Sequence, residues 1–281
     1  MDDGATTTGT SSGDGRAARR GRTLVIIPAY NEQDALPATL AGLASARPDL
    51  EVVVVDDGST DDTAAVATAA GVPVLRLPFN LGIGGALQTG FRYAVRRGVD
   101  RAVQLDADGQ HEPASIGALL DALDDGADLV VGSRFADTDQ RYDVGRVRAG
   151  AMGLLRLAVR QLSGQRFTDT SSGFRGFSRA MLASFAADYP ADYMESVEAL
   201  LLASAGGFVV VEVPVVMHQP SGGSPSQHQL RLLYHYLRLL LVIAVSAPGR
   251  HRDRTPTGGR PGPATDDAHP TGSVDLRGST T

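Results

Sequence analysis

Short runs of valine, isoleucine and leucine alternate along this chain with stretches whose apolar residues recur at helical spacing. Residues 24–27, 51–55, 74–77, 102–105 and 128–131 read as strands. The intervening segments 32–46, about 60–70, 85–97 and 113–123 read as helices. Thr60, Asp61 and Asp62 are placed to cap the second helix with acid in its first turn, and Pro113 opens the fourth. Near-continuous apolar strands separated by helices predict an α/β fold: a mostly parallel sheet with helices on both faces. After Gly132 the rhythm changes. A basic helix is expected over 145–162, a strand over 174–178, helices over 179–185 and 196–205, and a strand over 208–213 that stops at Pro214. A loop rich in Gly, Pro, Ser and His, 217–229, precedes a last helix, 230–245.

In such a sheet ligands gather beyond the carboxyl ends of the strands. Three polar clusters fall there: Tyr30-Asn31-Glu32, Asp56-Asp57 and Asp106-Ala107-Asp108-Gly109-Gln110. Alternate residues at an extended strand end point the same way, so the Asp106 and Asp108 carboxylates can face one ion, with Gln110 adding a neutral oxygen. Hard oxygen ligands suit Mg²⁺ or Mn²⁺. The plainer alternative is a solvated, Asp-rich turn. Asp56 or Asp57 can instead cap the following helix, a role open to one of them but scarcely to both. Gly82, Gly84 and Gly85 allow a tight turn or close backbone approach. Their spacing is not a complete dinucleotide fingerprint, and they do not follow the first strand.

Composition narrows the field. With 42% apolar and 21% charged residues the chain is an ordinary globular one. It has no Cys, which excludes disulfide and thiol chemistry, and a net charge of -6 argues against a general nucleic-acid binder. Residues 1–22 and 249–281 lack the apolar side chains to offset their ordering entropy and are expected to be disordered tails. That leaves 23–248 as one domain, or one domain with an added helical part. The first residues carry no apolar stretch of the secretory kind. In the last helix the longest apolar run, 239–245, is far short of a membrane span. Arg231, His235 and Arg238 share one face of it, so it either lies in a lipid interface or docks on the protein with that face in solvent.

Seven segments, in order, carry a resemblance. They are Ile27-Pro28-Ala29-Tyr30-Asn31-Glu32, Val55-Asp56-Asp57-Gly58-Ser59-Thr60-Asp61, Asn80-Leu81-Gly82-Ile83-Gly84-Gly85-Ala86, Leu105-Asp106-Ala107-Asp108-Gly109-Gln110-His111, Gly132-Ser133-Arg134, Asp169-Thr170-Ser171-Ser172-Gly173-Phe174-Arg175 and Glu212-Val213-Pro214-Val215. Over about residues 23–225 they resemble family 2 glycosyltransferases of the GT-A fold, in particular the dolichol-phosphate mannose synthase type. The resemblance implies that Tyr30, Glu32, Asp56 and Asp57, with Pro28, Gly84 and Gly85 beside them, hold the nucleoside of a UDP- or GDP-sugar. It implies that Asp106, Asp108 and Gln110 hold Mg²⁺ or Mn²⁺ on the diphosphate. It places Ser133, Arg134 and 169–175 around donor sugar and acceptor phosphate. The domain then divides into a nucleotide-binding half, 23–134, an acceptor half, 135–225, and a membrane-interface helix, 226–248. The implied activity is a metal-dependent, inverting hexosyl transfer to polyprenyl phosphate for a cell-envelope glycan. The enzyme would be cytoplasmic, in peripheral contact with the inner face of the cell membrane, with no nucleic-acid partner.

The residue chemistry bears on this directly. Breaking the anomeric bond leaves negative charge on a diphosphate, which a metal and an arginine stabilise. Arg134, just past a strand end, is the first choice of arginine. Arg146 and Arg148 are either acceptor-phosphate contacts or ordinary solvated residues. A hydroxyl acceptor needs a base; Asp169, Glu195 and Glu198 are the candidates, the two glutamates reading more readily as a helix-surface pair. A lipid phosphate is already an anion and needs cations instead, and Arg175 could orient it. The loop after Pro214 departs from the resembling enzymes, since His218 and Gln219 stand where arginine is expected, although Arg231 could reach back. Transfer to a saccharide or small hydroxyl, nucleotidyl transfer, and a non-catalytic sugar-nucleotide-binding module stand as alternatives. Residues 28–32 lack the Gly-rich basic loop that triphosphates favour, and the intact aspartates argue against the last.

Overall fold

The computed structural model describes residues 21–134, 159–160, 164, 166–190 and 195–217. They belong to the first of two units of the chain, Met1–Val245; the second is Ser246–Thr281. The expectations for residues 1–20, for the helix bearing Arg146 and Arg148, for the loop with His218 and Gln219, for the last helix with Arg231, His235 and Arg238, and for 249–281 lie outside the described residues.

β1 (Thr23–Ala29) is buried at every position. Its alternate side chains feed two cores: Leu24 and Ile26 face one, Val25 and Ile27 the other. With β2 (Glu51–Asp56), β3 (Val74–Arg76), β4 (Arg101–Gln104), β5 (Leu129–Ser133), β6 (Arg175–Ser178) and β7 (Val210–Pro214) it forms a seven-stranded sheet in the order β3-β2-β1-β4-β6-β5-β7. The pairs β1–β2, β1–β4, β2–β3 and β5–β7 are parallel, and β6 runs antiparallel between β4 and β5. The apolar run predicts β6 as a strand but carries no sign of its direction.

The described residues include the helices α1 (Leu36–Ala46), α2 (Thr63–Ala69), α3 (Gly82–Arg97), α4 (Ile116–Asp124), α5 (Arg179–Ala187) and α6 (Glu195–Ala205). Leu36, Leu40 and Leu43 of α1 and Ile116, Leu119 and Leu120 of α4 pack in the core of Val25 and Ile27. On the opposite face Phe91 of α3 meets the rings of Phe177 at 4.9 Å, Tyr189 at 5.1 Å and Phe185 at 5.9 Å. Both faces are thus covered, as continuous apolar strands require. None of the described helices is long and apolar enough to cross a membrane.

Element boundaries differ from expectation for local reasons. α1 begins at Leu36 instead of Glu32, with Pro37 in its first turn. The residues before it pin the neighbouring loop: Gln33 N–H donates to Asp61 Oδ2 at 3.2 Å and Asp62 N–H to Gln33 Oε1 at 3.0 Å. Asp61 Oδ1 accepts from Thr63 N–H at 3.0 Å, so the cap of α2 lies ahead of the helix and its first turn holds no acid. α3 starts earlier than Gly85, at Gly82. Pro113–Ser115 form a 3₁₀ turn that runs into α4. Arg22, assigned by composition to the tail, is held by Glu51 Oε1 at 2.9 Å and by the Arg97 carbonyl at 2.8 Å.

Candidate active site

Parallel strands β1, β2 and β4 end at one edge, and a cleft of about 350 Å³ opens there. Pro28, Tyr30 and Glu32 line it from the end of β1, Asp57 from β2, Asn80 and Gly82 from the start of α3, and Asp106 and Asp108 from β4. Its size is that of a small-ligand site. Two turns set its walls. Asn31 takes a left-handed φ of 57°, held by its N–H to Ser59 Oγ at 3.0 Å and its Oδ1 to Thr60 N–H at 2.9 Å. Gly58 has φ 70°, and a Cβ there would stand 2.6 Å from the Phe79 carbonyl carbon. No other residue type fits that turn.

The two aspartates after β2 have separate tasks. Asp57 faces the cleft, and its Oδ1 accepts from Leu81 N–H at 2.7 Å. Burial, with the Asp56 charge beside it, holds its carboxyl above the usual range against the N–H groups of Leu81 and Gly82. Asp56 is fully buried behind the cleft, accepting from Ser59 N–H at 2.9 Å and pairing with Arg76 at 3.3 Å. The expectation that both face the ligand is corrected: of the two, Asp57 alone lines the cleft. Gly84 and Gly85 are likewise not among the lining residues; Gly84 is buried, and a Cβ on Gly85 would stand 2.5 Å from Leu81 Cβ. Gly82 and Ile83, one step earlier in α3, take the lining position.

Asp106 and Asp108 both line the cleft, although β4 ends at Gln104 and residues 107–108 form a turn, so the shared placement comes from the turn and not from strand alternation. Burial raises the Asp108 carboxyl, and the Asp106 charge adds to it against the Gln110 N–H. Burial acts the same way on Asp106, but hydrogen bonds from His111 and Gln104 and the charges of His111 and Arg175 outweigh it and hold it low. Glu32 is pushed up by burial and then by the Asp108 and Asp106 charges. The cleft therefore gathers negative charge that the protein leaves partly uncompensated. Among the described residues no three His, Cys, Asp or Glu side chains form a metal set. Two hard carboxylates at a cleft with room for a phosphate-bearing ligand are the donor set by which Mg²⁺ or Mn²⁺ is commonly held, the remaining ligands coming from phosphate and water. The expectation that Gln110 adds an oxygen to this set is corrected: its N–H donates to Asp108 Oδ1 at 3.0 Å, and it is not among the lining residues.

Beyond β5 a second polar group forms. Arg134 grips the fully buried Asp169 in a two-pronged pair, Nε to Oδ2 at 2.7 Å and a terminal nitrogen to Oδ1 at 3.0 Å. Ser171 also donates to Oδ1, at 3.2 Å. Burial tends to raise the Asp169 carboxyl, yet Arg134 holds it below the usual range. A carboxylate so engaged is a poor proton acceptor, which corrects the reading of Asp169 as a base. Glu212, on β7, accepts from the N–H groups of Thr168 at 2.7 Å and Asp169 at 2.8 Å, fixing the loop that presents Asp169 to Arg134.

Arg175 is not a phosphate contact here. Its side chain is buried, its Nε donates to the Ser172 carbonyl at 2.8 Å, and its terminal nitrogens have no hydrogen-bond partner. Glu195 is also buried, so it is neither half of a surface pair nor an accessible base, while Glu198 is half-buried. Burial pushes the Glu195 carboxyl up; the Ser196 hydroxyl and the Arg175 charge oppose without reversing it. Between the ordinary carboxylate pKa and that raised value the native state binds a proton the unfolded chain has released. Stability therefore falls as pH rises through that window. Glu195→Gln is expected to remove the slope and to raise stability above the window. Thermal midpoints of both proteins from about pH 4 to about pH 8 test this, and superimposable profiles would clear Glu195 of any such effect.

His111 and Glu212 are the residues whose roles sequence reasoning missed. Both sat within recognised segments, but nothing in their spacing indicated a partner. Gly109, at φ 73°, turns the chain so that His111 Nε2 comes back to within 2.9 Å of Asp106 Oδ2.

Comparison with known proteins bears on the family and the fold. The model of glycosyl transferase family 2 matches residues 24–185. A polyprenol monophosphomannose synthase of Mycolicibacterium smegmatis is 36% identical over 208 residues, 69% of this chain and 76% of that protein. An undecaprenyl-phosphate mannosyltransferase of Micrococcus luteus is 35% identical over 201 residues, 69% of this chain and 82% of that protein. Among solved structures, glucosyl-3-phosphoglycerate synthase from Mycobacterium tuberculosis superposes with a TM-score of 0.61 at 23% identity, covering 86% of this chain and 85% of that one. Fold and site define a glycosyltransferase of the GT-A type. The chain belongs to glycosyl transferase family 2.

Proposed function

We propose that the protein transfers a hexosyl group, with inversion, from a UDP- or GDP-sugar to a polyprenyl phosphate, at the inner face of the cell membrane. The observation that carries this reading is the meeting of Asp57, Asp106 and Asp108 in one cleft at the strand ends. The names of the two relatives above supply the acceptor class. A solved complex of the M. tuberculosis synthase, 22% identical, contains Mn²⁺ and UDP.

Asp57 offers a carboxylate oxygen to N–H groups of the base, and the exposed Tyr30 ring offers it a face. Asp106 and Asp108 would hold a divalent cation, which when bound supplies positive charge for the diphosphate leaving group. In the reaction the bond between the anomeric carbon and the β-phosphate oxygen breaks, and its electron pair leaves with the nucleoside diphosphate. An oxygen of the acceptor phosphate forms the new bond to that carbon from the opposite side. That oxygen arrives as an anion, so no base is required, which fits the engagement of Asp169 and the burial of Glu195. Arg134 lies beyond β5 with its charge balanced by Asp169, a geometry suited to orienting the acceptor phosphate or the donor sugar.

The test is direct. Purified full-length protein is given UDP- and GDP-sugars with Mn²⁺ and either undecaprenyl phosphate or a panel of free saccharides. Glycolipid formation with release of nucleoside diphosphate is expected. Transfer to hydroxyl acceptors alone would overturn the acceptor assignment, and release of pyrophosphate from a nucleoside triphosphate would overturn the reaction.

A further inference from the structure

Asp106 is held from two sides, by His111 at the end of its own segment and by Gly173 of the 169–175 segment. His111 Nε2 stands 2.9 Å from Oδ2. The imidazole side chain is only 4% exposed and stacks on Phe174, ring centres 4.9 Å apart and planes 22° from parallel. Its Nδ1 is buried and has no hydrogen-bond partner. Among the described residues the ring's hydrogen bond to Asp106 is therefore its sole polar tie, and the stacking on Phe174 sets its aim. Phe174 is itself held, fully buried, with its carbonyl accepting from Gly132 N–H at 2.8 Å.

The backbone of Gly173 closes another side of the carboxylate. A Cβ there would lie 2.5 Å from Asp106 Oδ2 and 2.6 Å from Oδ1. Gly173 does not have a left-handed φ, so an alanine could adopt its backbone without strain. Glycine is needed at 173 for the space that the Asp106 carboxylate occupies.

We infer that Gly173 and His111, with Phe174 behind them, are positioning residues that set the orientation in which Asp106 presents its carboxylate to the cleft. The inference rests on reading Asp106 as a metal-holding residue of the donor site. Neither Gly173 nor His111 lines the cleft; both act through Asp106. The arrangement also ties the 169–175 segment to the donor carboxylate, so that part of the far side of the site is built around the same oxygen atoms. Groups that orient a metal-holding carboxylate typically change metal affinity about 10- to 100-fold when removed.

Mn²⁺ binding to the full-length protein with UDP, followed by the loss of the free-ion electron paramagnetic resonance signal, provides the test. Thermal midpoints in EDTA are measured beside it. Asp106→Asn serves as the reference and is expected to lose binding. Gly173→Ala and His111→Leu are expected to weaken binding by about 10-fold or more while keeping EDTA midpoints near that of the unaltered protein. His111→Gln, which carries an amide N–H at similar reach, is expected to recover most of the affinity. Unchanged binding in Gly173→Ala and His111→Leu, with binding lost in Asp106→Asn, overturns the positioning inference and leaves the metal reading standing. Unchanged binding in Asp106→Asn overturns both. If Gly173→Ala lowers the EDTA midpoint, the histidine pair decides: equal affinities for His111→Leu and His111→Gln overturn the inference.

Discussion

Asp108→Asn and Asp106→Asn are each expected to reduce metal-dependent sugar transfer on the order of 10³-fold, the loss that follows removal of a preorganised charge at the leaving group. The fold should survive both. Asp108 carries a carboxyl pushed up by burial and by the neighbouring Asp106 charge, so its ionised form costs the native state stability at neutral pH. Asparagine removes that cost while keeping an oxygen to accept the Gln110 N–H. At 106 an asparagine oxygen can still accept from His111. Initial rates across a Mn²⁺ titration and thermal midpoints in EDTA would be measured together. A variant that transfers sugar at the unaltered rate in excess EDTA would remove these aspartates from the metal site.

Arg134→Ala carries the largest expected effect on stability, a loss of about 3–5 kcal/mol. The reason is the partner. Asp169 has no solvent exposure, and without Arg134 its charge keeps only Ser171 and a few backbone groups. Arg134→Lys should recover only part, because an ammonium cannot reproduce the two-pronged contact. The loss should depend on pH. Arg134 holds the Asp169 carboxyl below the ordinary range, so the stabilisation is complete above the unfolded-state pKa and disappears as pH falls through the lower native value. Urea unfolding at neutral pH and in acid would show the gap between the two proteins narrowing in acid. Removing Asp169 as well should restore stability relative to Arg134→Ala, since no uncompensated charge then remains.

Much of this site was legible in the chain because strand ends are. The runs before Tyr30, Asp57 and Asp108 are short, apolar and bounded, and a sheet of parallel strands delivers whatever follows them to one edge. Asp106 and Asp108 do share one cleft, but through a turn that follows β4 and not through the period of an extended chain. What could not be read depended on partners distant in sequence. Asp56 and Asp57 are adjacent and chemically identical, and only the position of Arg76 and of the Leu81 N–H separates the buried one from the one in the cleft. Asp169 looked like a base until Arg134 was found on it. Arg175 looked like a phosphate ligand because a four-residue strand does not reveal which of its side chains are enclosed. Gly173 drew no reading of its own from the sequence, since the atoms that require its smallness belong to Asp106.

The sheet also dictates an order of events in the newborn chain. Among the described residues β5 pairs with β6 and β7, both of which lie beyond it in sequence. Until they have been synthesised, Leu129, Val130 and Val131 form a sticky stretch with no sheet to join. Closing so many intervening residues into a loop is slow. A polypeptide cut after Arg134 would strand that stretch permanently, so the donor-binding portion cannot be expected to mature without its downstream neighbour.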